Sequence, residues 1–220
     1  MTVADEKEEH GQYASPPCFM HELEPGFRAG AADRQASGDV ARWRKAERAQ
    51  LIAKRLALPA DTRAAHAARI ATKLDALLGD VAGGTVSLYW PFRGEPDSRG
   101  WAQTIIDRGG LVALPVVVEK AAPLIFRRWK PGDRLEKGIW NIPVPADGEP
   151  VLPDIVVSPV VGFDPSNYRL GYGGGFYDRT LAALPRPRLV AGVGYAMQRI
   201  PTIYPQPHDV PMDVVLTEAD

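Results

Sequence analysis

Residues 169–178 carry the densest set of groups that could do chemistry. They read Arg-Leu-Gly-Tyr-Gly-Gly-Gly-Phe-Tyr-Asp, so four glycines stand between an arginine and an aspartate. Glycine permits positive φ angles and lets main-chain N–H groups approach an anion without a Cβ atom in the way. A helix is predicted to follow from Phe176 to Ala183, and its N-terminal N–H groups would add to the same anion site. The run therefore predicts a nucleotide-phosphate site.

The two charged residues that bound this run fit the same interpretation. Arg169 supplies a planar phosphate donor, and Asp178 is a hard oxygen ligand suited to Mg²⁺. The two standard phosphate motifs do not fit. No Lys-Ser/Thr pair follows the glycines, as a Walker A loop requires, and Phe176 occupies the third glycine position of a dinucleotide fingerprint. The alternative interpretation of such a glycine cluster is a tight surface loop.

Three further segments hold candidate ligands, each with a structural alternative. Arg44 and Arg48 share one helical face and could close on a triphosphate, although such a face is often only solvated. Trp90 and Glu95 follow an apolar run, and Glu95 could accept hydrogen bonds from a flat heterocycle or simply be solvated. Asp209 stands in a proline-bounded turn, where it is either a second metal ligand or part of that turn.

The elements that must position these residues follow from the apolar pattern. A first helix is predicted from the Asp39 cap to just before Pro59, and a second from Asp61 to a stop at Gly79. A third is predicted from Ser98 to Arg108. Six short apolar runs predict strands at Val86–Trp90, Leu111–Val118, Leu124–Trp129, Ile155–Val161, Leu189–Val193 and Val214–Thr217.

Short apolar runs that alternate with helices are typical of a largely parallel sheet covered on both faces. We therefore predict an α/β fold, a three-layer α/β/α sandwich with a mostly parallel, Rossmann-like sheet. Ligands of such sheets bind outside the carboxyl ends of the strands, where the glycine run after Val161 would lie. We predict that residues 39–220 form this single domain and that residues 1–38 are a loosely ordered N-terminal extension.

Composition limits the classes of function. The chain has 220 residues and a formal net charge of -1, so no global positive field exists to hold nucleic acid or an anionic membrane. Its single cysteine, Cys18, excludes an intramolecular disulfide, and no Cys/His spacing resembles a zinc site. No apolar run approaches the ~20 residues of a membrane helix, and the acidic, polar start argues against a secretory signal. We expect a soluble cytoplasmic protein, with no signal for its oligomeric state.

Together these blocks resemble the 5-formyltetrahydrofolate cyclo-ligase family, whose members are also called methenyltetrahydrofolate synthetases. The resemblance covers roughly residues 40–218 and is carried by residues 90–97, 126–133, 153–157, 162–164, 168–178 and 207–218. It implies a fold similar to the sugar-phosphate isomerase/CoA-transferase type. It also implies ATP-dependent conversion of 5-formyltetrahydrofolate to 5,10-methenyltetrahydrofolate with release of ADP and phosphate. The expected partners are therefore ATP, a reduced folate and Mg²⁺.

The resemblance also implies roles for individual residues. It assigns catalysis to Arg169 and Tyr177, ATP binding to Arg44, Lys45, Arg48, Arg169, Gly171, Gly173, Gly174, Gly175 and Tyr177, folate binding to Trp90, Glu95, Tyr172 and Phe176, and Mg²⁺ binding to Asp178 and Asp209.

Two departures from the family pattern leave room for a shifted substrate. Arg44 and Lys45 stand where the family usually has one lysine, so either residue could take its role. Val144 stands where many members have Glu. Two other functions stay open at this point: a related sugar-phosphate or acyl-transfer enzyme on a similar sheet, and a non-catalytic folate or nucleotide sensor.

Overall fold

The computed structural model describes residues 30–185 and 187–219. Contacts divide the chain into Met1–Asp39 and Val40–Asp220, and the sheet and the site described below belong to the second unit. Most of the predicted extension lies outside the described residues.

Two long helices open the described chain, α1 at Gly30–Leu56 and α2 at Ala60–Leu78. The prediction that α1 begins at Asp39 is wrong, because the helix already includes the nine residues before it. That stretch contains three alanines, which favour helix without a cap. The stop of α2 at Gly79 is confirmed, with a φ of 58° that suits glycine. In the described part of the chain no helix is long and apolar enough to cross a bilayer.

Two shorter helices follow. A 3-10 turn at Arg99–Trp101 leads into α3 at Ala102–Asp107, so the predicted helix over Ser98–Arg108 is present but begins with a tighter turn. The Asp97 carboxylate accepts the Arg99 N–H at 3.0 Å at that start. Helix α4 spans Phe176–Ala183, as predicted.

Eleven short strands form the sheets of the described residues. They are β1 Thr85–Ser87, β2 Leu111–Val116, β3 Ile125–Arg128, β4 Leu135–Lys137, β5 Pro143–Pro145, β6 Pro150–Val151, β7 Ile155–Pro159, β8 Gly162–Phe163, β9 Arg169–Leu170, β10 Leu189–Val193 and β11 Val214–Leu216. The main sheet has the order β11-β10-β7-β1-β2-β3-β6. Its first five strands are parallel, while β3 and β6 add an antiparallel edge. The strands β4 with β5, and β8 with β9, form two small hairpin sheets.

The alternation of side chains along β7 shows the layers. Ile155 and Val157 pack in the same cluster as Leu74 of α2 and Ile105 of α3. Val156, between them, packs on the opposite face with Tyr177 of α4. Successive strand residues point to opposite faces, so helices cover both sides of the sheet. The predicted three-layer α/β/α architecture with a mostly parallel sheet is confirmed.

Several predicted strands extend too far toward their carboxyl ends. The strand predicted to reach Trp90 ends at Ser87, and the one predicted to reach Val161 ends at Pro159. The residues beyond these ends, such as Leu88 and Val160, are fully buried. Their apolar character reflects burial just beyond the strand ends, where single main-chain hydrogen bonds persist from Leu88 N–H to Ala113 and from Val160 N–H to Val193.

Leu74→Ala tests the packing of α2 on the sheet. The Leu74 side chain is 0% exposed, so truncation leaves a cavity, and we expect the free energy of unfolding to fall by about 2–5 kcal/mol. The matched control is Leu77→Ala on the same helix, because Leu77 is 42% exposed and its truncation should cost less than about 1 kcal/mol. Urea unfolding measures both. Equal losses would contradict this packing.

Candidate active site

The candidate site lies at the carboxyl ends of β1 and β7, which are parallel neighbours in the middle of the sheet. From β1 the chain crosses to β2 on one side, whereas from β7 it continues to β10 on the other. Loops that leave adjacent strands in opposite directions open a crevice, and ligands of α/β sheets bind there. The loops after β1 and after β9, together with residues 139–144, line one pocket at this edge.

The glycine run forms the loop between β9 and α4. Gly173 has a φ of 92° and Gly175 a φ of 63°, both in the left-handed region that favours glycine. Gly175 is the N-cap of α4, and no side chain hydrogen bonds to the first turn as a cap. The N–H groups of that turn are therefore available to an anion.

Helix α1 packs two arginines against this loop and its neighbour. Arg48 donates from Nε to the carbonyl oxygen of Gly171 at 2.6 Å. A Cβ atom on Gly173 would lie 3.4 Å from the Arg48 Cζ atom, so the guanidinium and the loop are in close contact. Burial, and then the charge of Arg44, lower the pKa of Arg48. Arg44 donates to the carbonyl oxygen of Ile203 at 2.9 Å.

Lys45 does not join these contacts. It is exposed, one residue along the helix from Arg44. Of the two residues that stand at the family's lysine position, Arg44 is therefore the one whose side chain turns toward the site.

Arg169 and Asp178 form an ion pair at the other end of the loop. Arg169 is 5% exposed and donates to Asp178 Oδ1 at 2.8 Å. The N–H of Val210 donates to the same oxygen at 3.2 Å. Both contacts use Oδ1, which leaves Oδ2 of Asp178 available to another ligand. Burial lowers the pKa of Arg169, and the charge of Asp178 opposes that effect.

Asp209 is engaged on both oxygens. Arg44 donates to Oδ1 at 3.3 Å and makes a close contact with Oδ2, and the N–H of Gln206 donates to Oδ2 at 2.6 Å. Burial on its own would raise the pKa of Asp209, but these hydrogen bonds outweigh it and hold the pKa below its ordinary value. Asp209 therefore exists as a carboxylate that is already paired with a cation.

Over residues 30–185 and 187–219, no group of three or more His, Cys, Asp and Glu side chains is placed to hold a metal. This donor set still suits Mg²⁺, which keeps several waters and takes one or two carboxylates plus substrate phosphates. Asp178, with Oδ2 available beside the glycine loop, fits that requirement. Asp209 would have to give up Arg44 to do the same.

Glu95 lies in the floor of the pocket and is 5% exposed. Its Oε2 accepts the N–H of Phe92 at 2.9 Å, and its Oε1 accepts the hydroxyl of Tyr172 at 2.9 Å. Burial raises the pKa of Glu95 to about 7, against the opposing charge of Arg55 and these two hydrogen bonds. Glu95 therefore titrates close to neutral pH and has oxygen lone pairs left for a ligand.

Aromatic rings form the walls above Glu95. Phe92 and Trp140 stack with centroids 6.5 Å apart and planes 11° apart, and Phe176 meets Trp140 edge-on at 6.3 Å. Trp90 packs edge-on against Trp129 at 6.1 Å. Such an arrangement offers flat apolar faces to a heterocycle.

Tyr177 lines the pocket from the first turn of α4. Its hydroxyl oxygen is buried and has no hydrogen-bond partner within the described residues. Burial raises the pKa of Tyr177, so the hydroxyl is protonated. A buried hydroxyl without a partner is unfavourable, so Tyr177 has an unused donor beside the pocket.

The structure brings most of the predicted site residues together. The pocket is lined by Trp90, Glu95, Arg169, Gly171, Tyr172, Gly174, Gly175, Phe176, Tyr177 and Asp178. Gly173 lies within the same loop, and Arg44, Arg48 and Asp209 meet beside it, whereas Lys45 stays exposed. Val144, the residue that departs from the family's usual Glu, is 7% exposed and also lines the pocket.

Two site residues escaped the sequence analysis. Trp140 is 52% exposed and has a φ of 58°, so a bulky residue is held in an unfavourable conformation at the pocket mouth. Arg55 is completely buried and donates to the Tyr172 hydroxyl at 2.6 Å. The available signal for Arg55 was its spacing of seven residues from Arg48, which continues the same helical face.

A sheet covered on both faces, with a glycine-rich loop, buried arginines and an aromatic pocket at its carboxyl edge, is typical of α/β enzymes. The sequence profile of the 5-formyltetrahydrofolate cyclo-ligase family matches residues 40–218. The 5-formyltetrahydrofolate cyclo-ligase of Mycolicibacterium smegmatis is 34% identical over 181 residues, covering 77% of this chain and 91% of that protein. The Escherichia coli K12 protein of the same name is 34% identical over 141 residues, covering 60% and 77%.

Solved structures give the same result. The 5,10-methenyltetrahydrofolate synthetase of Aquifex aeolicus has a TM-score of 0.70 and 29% identity, covering 80% of this chain and 90% of that one. The synthetase of Mycoplasma pneumoniae has a TM-score of 0.66 and 25% identity, covering 80% and 98%. This chain belongs to the 5-formyltetrahydrofolate cyclo-ligase family.

The pH dependence of stability tests the environment of Glu95. Its pKa is raised from 4.5 to about 7, so the folded protein retains a proton that the unfolded chain has released, and stability falls as pH rises through this window. Glu95→Gln cannot titrate there. Relative to this variant, we expect the wild-type free energy of unfolding to fall by on the order of 3 kcal/mol across the window.

Urea unfolding at several pH values measures this difference. The matched control is Glu136→Gln, because the Glu136 side chain is 55% exposed and the variant should follow the wild type at every pH. A constant difference between wild type and Glu95→Gln across the window would show that Glu95 titrates normally.

Proposed function

We propose that this protein converts 5-formyltetrahydrofolate to 5,10-methenyltetrahydrofolate at the expense of ATP, releasing ADP and phosphate. The observation that carries the proposal is the shared pocket, in which Glu95 and aromatic walls lie against a glycine loop that begins a helix. The names of the family and of its relatives agree with it. One pocket thus offers a heterocycle site directly beside a phosphate site.

The reaction requires activation of a poor leaving group. Transfer of the γ-phosphoryl group from ATP to the formyl oxygen releases ADP and gives an iminium ion whose carbon carries the phosphorylated oxygen. The second folate nitrogen attacks that carbon and closes the ring, its N–H proton passes to solvent, and phosphate departs with the former formyl oxygen. No protein nucleophile is required, so the enzyme acts mainly through alignment and charge stabilisation.

Glu95 and the aromatic walls would bind the pterin. A carboxylate has about four acceptor positions, and Phe92 N–H and the Tyr172 hydroxyl use two of them. The remaining positions suit the amino and ring N–H donors of a pterin. Trp90, Phe92 and Trp140 supply faces for its flat ring. A protonated carboxyl group would turn one of these acceptors into a donor, so we expect the ionised form of Glu95 to recognise the pterin.

The loop over Gly173–Gly175 and the start of α4 would hold the ATP phosphates. Arg48 and Arg169 border that loop and bring positive charge to it. The Tyr177 hydroxyl, buried without a partner among the described residues, would donate to a phosphate or to the formyl oxygen. These donors would stabilise the negative charge that develops during phosphoryl transfer, and such a group typically contributes roughly 10² to 10³ in rate.

Mg²⁺ would be held through Oδ2 of Asp178 together with ATP oxygens. The ion would neutralise phosphate charge during transfer. Asp209 contributes to this site only if Arg44 turns from it to the nucleotide. Arg44 is the residue we assign to the role of the family's lysine.

We also propose a cytoplasmic setting with small-molecule partners, a reduced folate and ATP, and with neither nucleic acid nor membrane as a ligand. The near-balanced charge of 26 basic and 27 acidic residues supports this proposal. The single cysteine is in keeping with a reducing compartment.

Ultraviolet absorbance tests the proposed reaction. Purified protein mixed with 5-formyltetrahydrofolate, ATP and Mg²⁺ should accumulate the absorbance of the methenyl product, with one ADP formed per product. Omission of ATP should abolish the increase. Binding of both ligands in calorimetry without ADP release would instead identify a sensor, and turnover of a sugar phosphate or acyl donor without folate would refute the proposal.

Asp178→Asn tests the metal and phosphate assignment. Loss of the carboxylate charge should lower kcat by about 10² to 10³ and raise the Mg²⁺ concentration required for half-maximal rate. Asp107→Asn is the matched control, since Asp107 is exposed on α3. Near-normal turnover and an unchanged Mg²⁺ requirement in Asp178→Asn would reject the assignment.

A further inference from the structure

Arg55 is a fully buried arginine that the proposed mechanism does not use. Its side chain is 0% exposed, at the last turn of α1. Burial of a guanidinium group is unfavourable unless its donors are paired, so the contacts of Arg55 indicate why it is there. They lie next to both halves of the candidate site.

Arg55 joins three segments of the chain. It donates to the carbonyl oxygen of Arg93 at 2.9 Å in the loop after β1, and to that of Val160 at 3.2 Å beyond β7. It also donates to the Tyr172 hydroxyl at 2.6 Å in the glycine loop. Its Nη2 lies 3.9 Å from Oε1 of Glu95. One side chain thus links the proposed pterin and phosphate loops.

Two of the acceptors have other donors. The Val160 carbonyl also accepts from Gln198 Nε2 at 3.0 Å. The Phe92 carbonyl, 3.5 Å from Arg55 Nη2, accepts the N–H of Glu95 at 3.2 Å. Arg55 is therefore not required to satisfy these two oxygens. Its remaining contacts are with the Arg93 carbonyl, the Tyr172 hydroxyl and the Glu95 carboxylate, and the last two are side chains of the candidate site.

The contact with Tyr172 determines the direction of a hydrogen bond. Arginine has donors and no acceptor, so the Tyr172 oxygen must accept from Arg55. The single O–H of Tyr172 is then directed to its other neighbours, Glu95 Oε1 at 2.9 Å and the Phe92 carbonyl at 3.3 Å. Glu95 consequently receives a hydrogen bond and faces a nearby cation.

We propose that Arg55 is a positioning residue for the reaction, which orients Tyr172 as a donor and keeps Glu95 an ionised acceptor for the pterin. This inference rests on the proposed function. Helix α1 then has two roles. Its residues Arg44 and Arg48 lie at the phosphate loop, and Arg55 controls the charge of Glu95 in the pterin site.

The surroundings of Glu95 agree with this role. Four tyrosines interact electrostatically with Glu95. They are Tyr172 in the glycine loop, Tyr89 in the loop after β1, Tyr177 in α4 and Tyr195 after β10. Burial raises the pKa of each of these tyrosines, so all four are neutral near pH 7. Arg55 is the cation that lowers the pKa of Glu95.

The test is the pH profile of kcat/KM for 5-formyltetrahydrofolate at saturating ATP and Mg²⁺. Arg55→Met removes the charge at similar size, so the acid limb should move to higher pH by about one unit, and kcat/KM should fall about fivefold near pH 7 and about tenfold well below it. Arg55→Lys retains the charge, so its acid limb should lie close to that of the wild type. Lys54→Met, an exposed neighbour, should match the wild type.

A purely structural role predicts a different result. It would lower thermal stability and reduce kcat/KM by the same factor at every pH, with the limb unmoved, and that outcome would overturn the inference. If Arg55→Met does not fold, Tyr172→Phe tests the same step, since loss of its hydrogen bond to Glu95 should also move the limb to higher pH. An unmoved limb in Tyr172→Phe would likewise overturn the inference.

A double-mutant cycle with Glu95→Gln tests whether Arg55 acts on the reaction through Glu95. If Arg55 acts through Glu95, the roughly tenfold loss that Arg55→Met causes well below pH 7 should shrink to within about twofold on the Glu95→Gln background. Independent, multiplying losses would contradict the proposal. Absence of turnover in the wild type would refute the proposed function itself, whereas an active wild type with an unmoved limb in Arg55→Met would refute this inference alone.

Discussion

The site depends on arginine side chains that are buried against the main chain of two irregular loops. Arg48 holds the Gly171 carbonyl, Arg55 holds the Arg93 carbonyl and the Tyr172 hydroxyl, and Arg169 is fixed by Asp178. A loop without regular pairing leaves carbonyl oxygens in need of donors, and a guanidinium group offers five. The arginines of α1 therefore supply these loops with the hydrogen-bond donors that neighbouring strands supply inside the sheet.

This arrangement explains how one pocket can present two chemically different surfaces. The end of β1 supplies a buried carboxylate and aromatic rings, whereas the loop before α4 supplies main-chain N–H groups. Tyr172 belongs to the second surface but donates to Glu95 in the first. This hydrogen bond joins the two surfaces directly, which suits the proposed reaction because that reaction is limited by alignment.

Much of this could be predicted from the sequence because the signals are local. The glycine run, the period of α2 and the apolar runs of the sheet each specify their own structure, and α4 occupies the predicted range. The predicted start of α1 at Asp39 was wrong because this aspartate, which resembles a helix cap, lies inside a longer helix. The two-residue strands β6, β8 and β9 escaped because they are too short to show an alternating pattern.

The contacts that complete the site are long-range, and no local pattern reports them. Arg55 is 117 residues from Tyr172 in the chain, and its burial follows from the way α1 packs against the loops. Trp140 reaches the pocket mouth only through an unfavourable backbone angle. Sequence reasoning could place the charged face of α1 and the glycine loop, but not the pairing between individual groups.

A crystal structure with a non-hydrolysable ATP analogue and 5-formyltetrahydrofolate tests the account most directly. We expect the terminal phosphate to lie against the main chain of Gly173–Gly175 and beside the formyl oxygen, and the pterin donors to hydrogen bond to Glu95. An empty pocket at this edge of the sheet, with the triphosphate bound elsewhere on the protein, would contradict it.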